Sequence, residues 1–282
     1  MRGPWNWRVI IKGLAALLVM VFALATCQSR FIYFPRPYDA THVQRWQKLT
    51  QGEVLAYDTS AGKQQAYLFQ PISRSKPQHL WLVCAGNGSV ATDWTVFLNN
   101  GPPREDAYLL IDYPGYGAND GAPSPGKIRE SIAKALLLAR NRLGWDEKTL
   151  SERGRFFGHS LGAASALIGA DDAGITRGVL LAPFTSTMEM TKEVLGVNLG
   201  FILWHRFDNI ARLENITCDS AAKVEIFHGM ADPVIPYRMS ESLRKIAPDR
   251  ISLHLVPRGG HNDLQEMNRR EIIEAMHRVR EP

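Results

Sequence analysis

A series of short, uninterrupted apolar runs, each closed by turn residues, constrains this chain more than any other feature of its sequence. Leu80 to Cys84 is the first full example, and Tyr108 to Ile111, ending at Asp112, is the second. Further strand-like runs follow at Arg155 to Phe157, Val179 to Leu181, Val224 to Phe227 and Ile251 to Val256. A strand covered on one face alternates apolar and polar residues, whereas an unbroken run suits a strand covered on both faces. The segments between the runs have helical spacing. Ser124-Pro125 reads as N-cap and first helical residue, Ile128, Ile132, Ala135, Leu136, Ala139 and Leu143 recur on one face, and Gly144 ends the helix. Further helices are expected from Thr92, Leu161, Tyr237 and Asp263. Strand and helix in alternation predict an α/β architecture, a mostly parallel central sheet with helices on both faces. The runs Val54 to Tyr57 and Ala66 to Gln70 precede this series and are expected as early antiparallel strands.

The 282 residues show no repeat and no low-complexity tract, and 45% of them are hydrophobic, which predicts one compact domain rather than an array. Between Pro183 and Ala222 the chain is too long for a simple crossover and carries Met188, Met190, Val194, Leu195, Phe201, Ile202, Leu203 and Trp204. Residues 183–222 are therefore expected to form a small helical insertion, a cap after the sixth strand. Part of its apolar surface is core, and part is available to line a pocket.

The N-terminus has its own logic. Arg2, Arg8 and Lys12 precede an apolar stretch from Leu14 to Ala25, the layout of a secretory signal or signal-anchor. The stretch is short against the about 20 apolar residues that span a bilayer. Leu24-Ala25-Thr26-Cys27 resembles a bacterial lipoprotein box, with Thr26 departing from the usual small residue and Cys27 as the lipid-anchor candidate. Three readings stand: lipid anchor, uncleaved anchor and buried core helix. The expected division is residues 1–29 as signal or anchor and 30–282 as the folded domain. With either anchor, the membrane is a partner and the domain faces the periplasm or another extracytoplasmic side. The net charge of +5 is dispersed, with no Lys/Arg stripe interleaved with aromatics, so no nucleic-acid partner is expected. Three cysteines make no disulfide framework, and whether Cys84 and Cys218 pair is open.

The chemistry centres on Gly158-His159-Ser160-Leu161-Gly162, a Gly-x-Ser-x-Gly elbow between a short apolar run and a helix opened by small residues. A serine hydroxyl is a poor nucleophile at neutral pH, so a base and a carboxylate to orient that base are required, following in the order Ser, Asp, His. His261 fits the base: it follows the last strand through Pro257-Arg258-Gly259-Gly260 and precedes the last helix. His228 is the rival, at the end of the Val224 to Phe227 run, and His159 is expected to pack beside the nucleophile. Asp232, just past the penultimate strand, fits the carboxylate, with Asp112 and Asp208 as alternatives. The developing oxyanion needs two fixed N–H donors, for which Leu161 and Asn87, in the turn Cys84-Ala85-Gly86-Asn87-Gly88-Ser89, are the candidates. No metal-ligand spacing or phosphate loop is present and no cofactor is implied. Gly115-Tyr116-Gly117 fails as a dinucleotide fingerprint because Asp120 stands at the third-glycine position.

Ile32-Tyr33-Phe34-Pro35, Ala85-Gly86-Asn87-Gly88, Asp112-Tyr113-Pro114-Gly115-Tyr116-Gly117, the Ser160 elbow, Ala182-Pro183-Phe184-Thr185-Ser186 and the Asp232 and His261 segments together resemble membrane-associated, single-domain α/β-hydrolases. The branch is the serine aminopeptidase-like one, with relatives among protein depalmitoylases. The resemblance covers nearly everything after the N-terminal stretch and implies the α/β-hydrolase fold and a serine hydrolase. Ala85 departs from it, standing where a histidine is often found. The residues predict cleavage of a carboxylic ester or thioester, and the apolar insertion with the anchor favours a lipid-like acyl substrate. A serine peptidase and a non-catalytic binding protein on the same fold are the competing readings.

Overall fold

The computed structural model describes residues 28–71, 76–196 and 203–281, with Trp7, residues 11–15 and Val19 ahead of them. Most of the Leu14 to Ala25 stretch, with Cys27, lies outside the described residues, as do 197–202 of the insertion. Among the described residues no helix is long and apolar enough to cross a membrane.

The described residues form one eight-stranded sheet in the order β1-β2-β4-β3-β5-β6-β7-β8. The strands are β1 (Glu53–Thr59), β2 (Gly62–Phe69), β3 (Leu80–Cys84), β4 (Ala107–Ile111), β5 (Gly154–His159), β6 (Arg177–Leu181), β7 (Lys223–Gly229) and β8 (Ile251–Val256). The pairs β1–β2 and β2–β4 are antiparallel and every later pair is parallel, as the two early runs and the later unbroken ones predict. Unbroken runs work because both faces are covered. In β3, Leu80, Leu82 and Cys84 face one core while Trp81 and Val83 face the other, and all five are fully buried.

The first core packs beneath α1 (Pro125–Leu143), α2 (Leu161–Ala173), α3 (Thr187–Leu195), α4 (Asn209–Thr217) and α5 (Arg238–Arg244). The second packs beneath α6 (Arg269–Arg278) and the aromatic group Trp46, Trp94 and Phe97. Helix α1 begins and ends where its sequence signals stand: Ser124 Oγ accepts the Lys127 N–H at 3.3 Å, and Gly144 closes the helix in the left-handed region at φ 68°. Two expected helices are broken. The segment from Thr92 is a 3₁₀ turn (Ala91–Trp94) leading into one short helix (Thr95–Asn99), and the last helix is interrupted at Asn268. In the 183–222 stretch, α4 buries Leu213 and Ile216 in the first core and so returns the chain to the sheet, whereas α3 stands at the carboxyl ends of the strands. Cys84 and Cys218 are free thiols, the first inside β3 and the second exposed at the end of α4.

Candidate active site

Ser160 occupies the turn between β5 and α2, with φ 55° and ψ −119°, a region that non-glycine residues avoid. Holding it there costs about 1–3 kcal/mol, which the surrounding packing offsets. The neighbouring glycines show how. A Cβ on Gly158 would overlap the Gly162 carbonyl, and one on Gly162 would stand 2.5 Å from Ala85 O and closer still to Cys84 O. The elbow is thus pressed onto the end of β3 through positions that have no room for a side chain. The Ser160 N–H donates to Leu181 O at 2.9 Å, tying the turn to β6 as well.

The two loops that follow β7 and β8 bring in the remaining groups. They are laced together by Met230 N–H to Val256 O (2.9 Å) and Ala231 N–H to Gly259 O (3.0 Å), and a Cβ on Gly229 would stand 2.6 Å from Gly260 O. This lacing sets Asp232 against His261. His261 Nδ1 lies 2.7 Å from Asp232 Oδ2 and His261 Nε2 lies 2.9 Å from Ser160 Oγ. A carboxylate only accepts, so Nδ1 carries the hydrogen and Nε2 is left to accept from the Ser160 hydroxyl. Asp232 Oδ1 accepts the Val234 and Ile235 N–H groups at 2.7 and 2.9 Å. Burial pushes the Asp232 carboxyl up, but hydrogen bonds from His228, His261 and the Ile235 N–H outweigh it and hold it well below the usual carboxylate range. Asp232 is therefore an anion at neutral pH.

The structure brings Ser160, His261 and Asp232 into one row and leaves the alternative carboxylates elsewhere. Asp112 is fully buried at the end of β4 and accepts the Ala91 N–H at 2.7 Å, and Asp208 caps α4 through the Ala211 N–H at 3.0 Å. His159 packs against His261, with ring centroids 5.0 Å apart, and makes one bond that its position in the elbow did not announce: Nε2 lies 2.8 Å from the His261 carbonyl. Burial, then the nearby His261, lowers its pKa to about 4, so at neutral pH it is an uncharged ring whose Nε2–H donates to that carbonyl.

Asn87 and Leu161 line the same cleft as Ser160 and His261. Leu161 is the first residue of α2, so no carbonyl within the helix lies one turn before its N–H. Among the described residues the Asn87 N–H also has no acceptor. The turn that carries it is fixed by its side chain, which no sequence signal indicated. Asn87 Oδ1 accepts from the Phe34 N–H (2.9 Å) and the Tyr116 hydroxyl (2.7 Å), while Asn87 Nδ2 donates to Ile32 O (2.6 Å). The Ile32–Phe34 segment is thereby strapped to the turn and, with Phe184, Met190, Val234 and Ile235, forms an apolar wall of the cleft, about 350 Å³ in volume.

A model of the α/β hydrolase family matches residues 81–217. A protein of Mycobacterium tuberculosis is 28% identical over 274 residues, 96% of this chain and 92% of its own length. The human α/β hydrolase domain-containing protein 17B is 28% identical over 154 residues, 55% of this chain and 50% of its own. Among solved structures, an esterase of Pyrococcus furiosus superposes with a TM-score of 0.66 at 11% identity, over 89% of this chain and 99% of its own. Est1E of Butyrivibrio proteoclasticus, with ferulic acid bound, superposes with a TM-score of 0.61 at 19% identity, over 80% and 98%. The matched segment runs from β3 through the Ser160 elbow to α4, just under half of the chain, and the superpositions extend over the rest of the sheet: this chain has the α/β-hydrolase fold.

Proposed function

We propose that this protein is a serine hydrolase that cleaves a carboxylic ester or thioester of a lipophilic acyl group through an acyl-enzyme. The carrying observation is the unbroken row from Ser160 Oγ through His261 to the Asp232 carboxylate, opening into a cleft with an apolar wall. Ser160 Oγ attacks the acyl carbon as its proton passes to His261 Nε2, and the carbonyl π pair moves onto the oxygen. The Asn87 and Leu161 N–H groups receive that oxyanion. Collapse expels the alcohol or thiol, which takes the proton from His261, and a water deprotonated by His261 then releases the acid and restores Ser160. Asp232 keeps the Nδ1–H tautomer in place throughout and steadies the imidazolium that forms. The superposed Pyrococcus furiosus structure, named an esterase, supports this reaction class. The Ile32, Phe34, Phe184 and Met190 side chains support a lipophilic acyl group, as does an N-terminal tether through the Leu14 to Ala25 run that would hold the domain at a membrane.

The test is labelling of the full chain with a serine-directed fluorophosphonate, compared with Ser160→Ala, followed by a panel of acyl esters and thioesters of increasing chain length. Labelling confined to the wild type and turnover that rises with chain length are expected. A folded wild type that takes no label refutes the serine mechanism, and release of amino acids from peptides without ester turnover moves the reading to a peptidase.

A further inference from the structure

The Asp232 carboxylate is approached by a second histidine that the reaction just described does not use. His228 lies near the end of β7, four residues before Asp232, and is fully buried. Its Nε2 is 2.9 Å from the Ile235 carbonyl and 3.3 Å from Asp232 Oδ2, the oxygen that also accepts from His261. Its Nδ1 is 2.6 Å from Ser240 Oγ. A ring nitrogen that faces two acceptor oxygens carries the hydrogen, so Nε2–H points at Ile235 O and Asp232 Oδ2. The Ser240 hydroxyl then donates to Nδ1, since its other acceptor, the Pro183 carbonyl, is 3.5 Å away. Ser240 therefore fixes the tautomer of His228 as Asp232 fixes that of His261.

We propose that His228, locked by Ser240, is a positioning residue for Asp232: it pins Oδ2 in line with His261 and limits the negative charge that this oxygen offers to the imidazole. The inference rests on the serine hydrolase reading and extends it, since His228 acts through Asp232 and does not reach the cleft. It explains why a buried histidine stands beside a carboxylate whose other oxygen the two backbone N–H groups already hold. Those N–H groups fix Oδ1, and without His228 only the bond to His261 itself holds Oδ2.

The sign of the effect follows from charge. Among the described residues Asp232 and His159 contact His261, and His228 reaches it through Asp232. Removing the His228 donor leaves more negative charge on Oδ2, which favours a proton on the His261 ring over the free base. The acid limb of the labelling rate in the variant therefore moves up.

The experiment is the rate of fluorophosphonate labelling of the full chain between pH 5 and 9 for the wild type, His228→Leu, His228→Gln and Ser240→Ala. His228→Leu is expected to move the acid limb up by about half to one pH unit and to lower the plateau roughly tenfold through loss of alignment. The amide nitrogen of His228→Gln stands near the place of Nε2 and is expected to restore the wild-type limb. Ser240→Ala frees the tautomer and is expected to shift the limb in the same direction by less. A wild-type limb in His228→Leu, or an equal shift in His228→Gln, overturns the proposal while leaving the serine hydrolase reading intact. A wild type that takes no label overturns both. Should His228→Leu lose its near-ultraviolet circular dichroism, the comparison passes to Ser240→Ala, and an unmoved limb there refutes the positioning role.

Discussion

Gly162→Ala is a one-carbon change whose effect can be worked from the packing of the elbow. The new Cβ would stand 2.5 Å from Ala85 O, about 0.9 Å inside ordinary van der Waals contact, with Cys84 O closer still. Both obstacles are backbone atoms at the end of β3, and that strand is hydrogen-bonded on both sides, to β4 and β5. The strand cannot yield cheaply, so the first turn of α2 has to retreat by roughly 1 Å, carrying the Leu161 N–H with it. Two costs follow. Overpacking at a buried position is worth about 1–3 kcal/mol of stability. Misplacing an oxyanion donor by this distance is worth about 10²-fold in rate, or roughly 2.7 kcal/mol of transition-state stabilisation. The assay is the second-order rate of fluorophosphonate labelling beside a thermal melt. A variant that labels within threefold of the wild type at an unchanged Tm would refute the claim that the Gly162 contact places the oxyanion donor.

Asp232→Asn leaves an amide oxygen for the Val234 and Ile235 N–H groups but turns an NH₂ toward His261 Nδ1 and His228 Nε2. His261 is then driven to the tautomer that cannot accept from Ser160, and labelling should fall by about 10³–10⁴ with the fold intact; a loss under tenfold would count against the tautomer argument. Asp112 is a different case, because burial, only partly opposed by the Ala91 N–H, raises its pKa to about 6. The folded state then holds this proton more tightly than the unfolded chain, so the contribution of Asp112 to stability is lost as pH rises from about 4 through 6, by of order 3 kcal/mol. Asp112→Asn keeps an acceptor for Ala91 and should raise Tm more at pH 8 than at pH 5. A gain that is the same at both pH values would exclude ionisation of Asp112 as its source.

The sheet was legible because a strand covered on both faces is apolar at nearly every position, and the runs Leu80 to Cys84 and Tyr108 to Ile111 say so without knowledge of their neighbours. Helix α1 was legible through Ser124, Pro125 and Gly144, whose signals act within one or two turns of chain. The breaks near Trp94 and at Asn268 were not: Trp94 packs edge-on against Phe97 and Phe157, which lie elsewhere in the fold or beyond the turn, and Asn268 leaves the helical region at φ −120° and ψ 31°.

The same division runs through the site. The sequence by itself determined the strand and helix alternation, the glycine-flanked Ser160 and the order in which Ser160, Asp232 and His261 follow one another, since each is a matter of residue type and local spacing. Tertiary structure decided that the β7 and β8 loops lace through Met230 and Ala231 and so bring Asp232 to His261. It also decided that His159 holds the His261 carbonyl, that His228 and Ser240 stand behind Asp232, and that Asn87 straps the Ile32–Phe34 segment to the cleft. These bonds join residues as far as 102 positions apart, and a hydrogen bond depends on where two atoms meet in space, which local spacing does not carry.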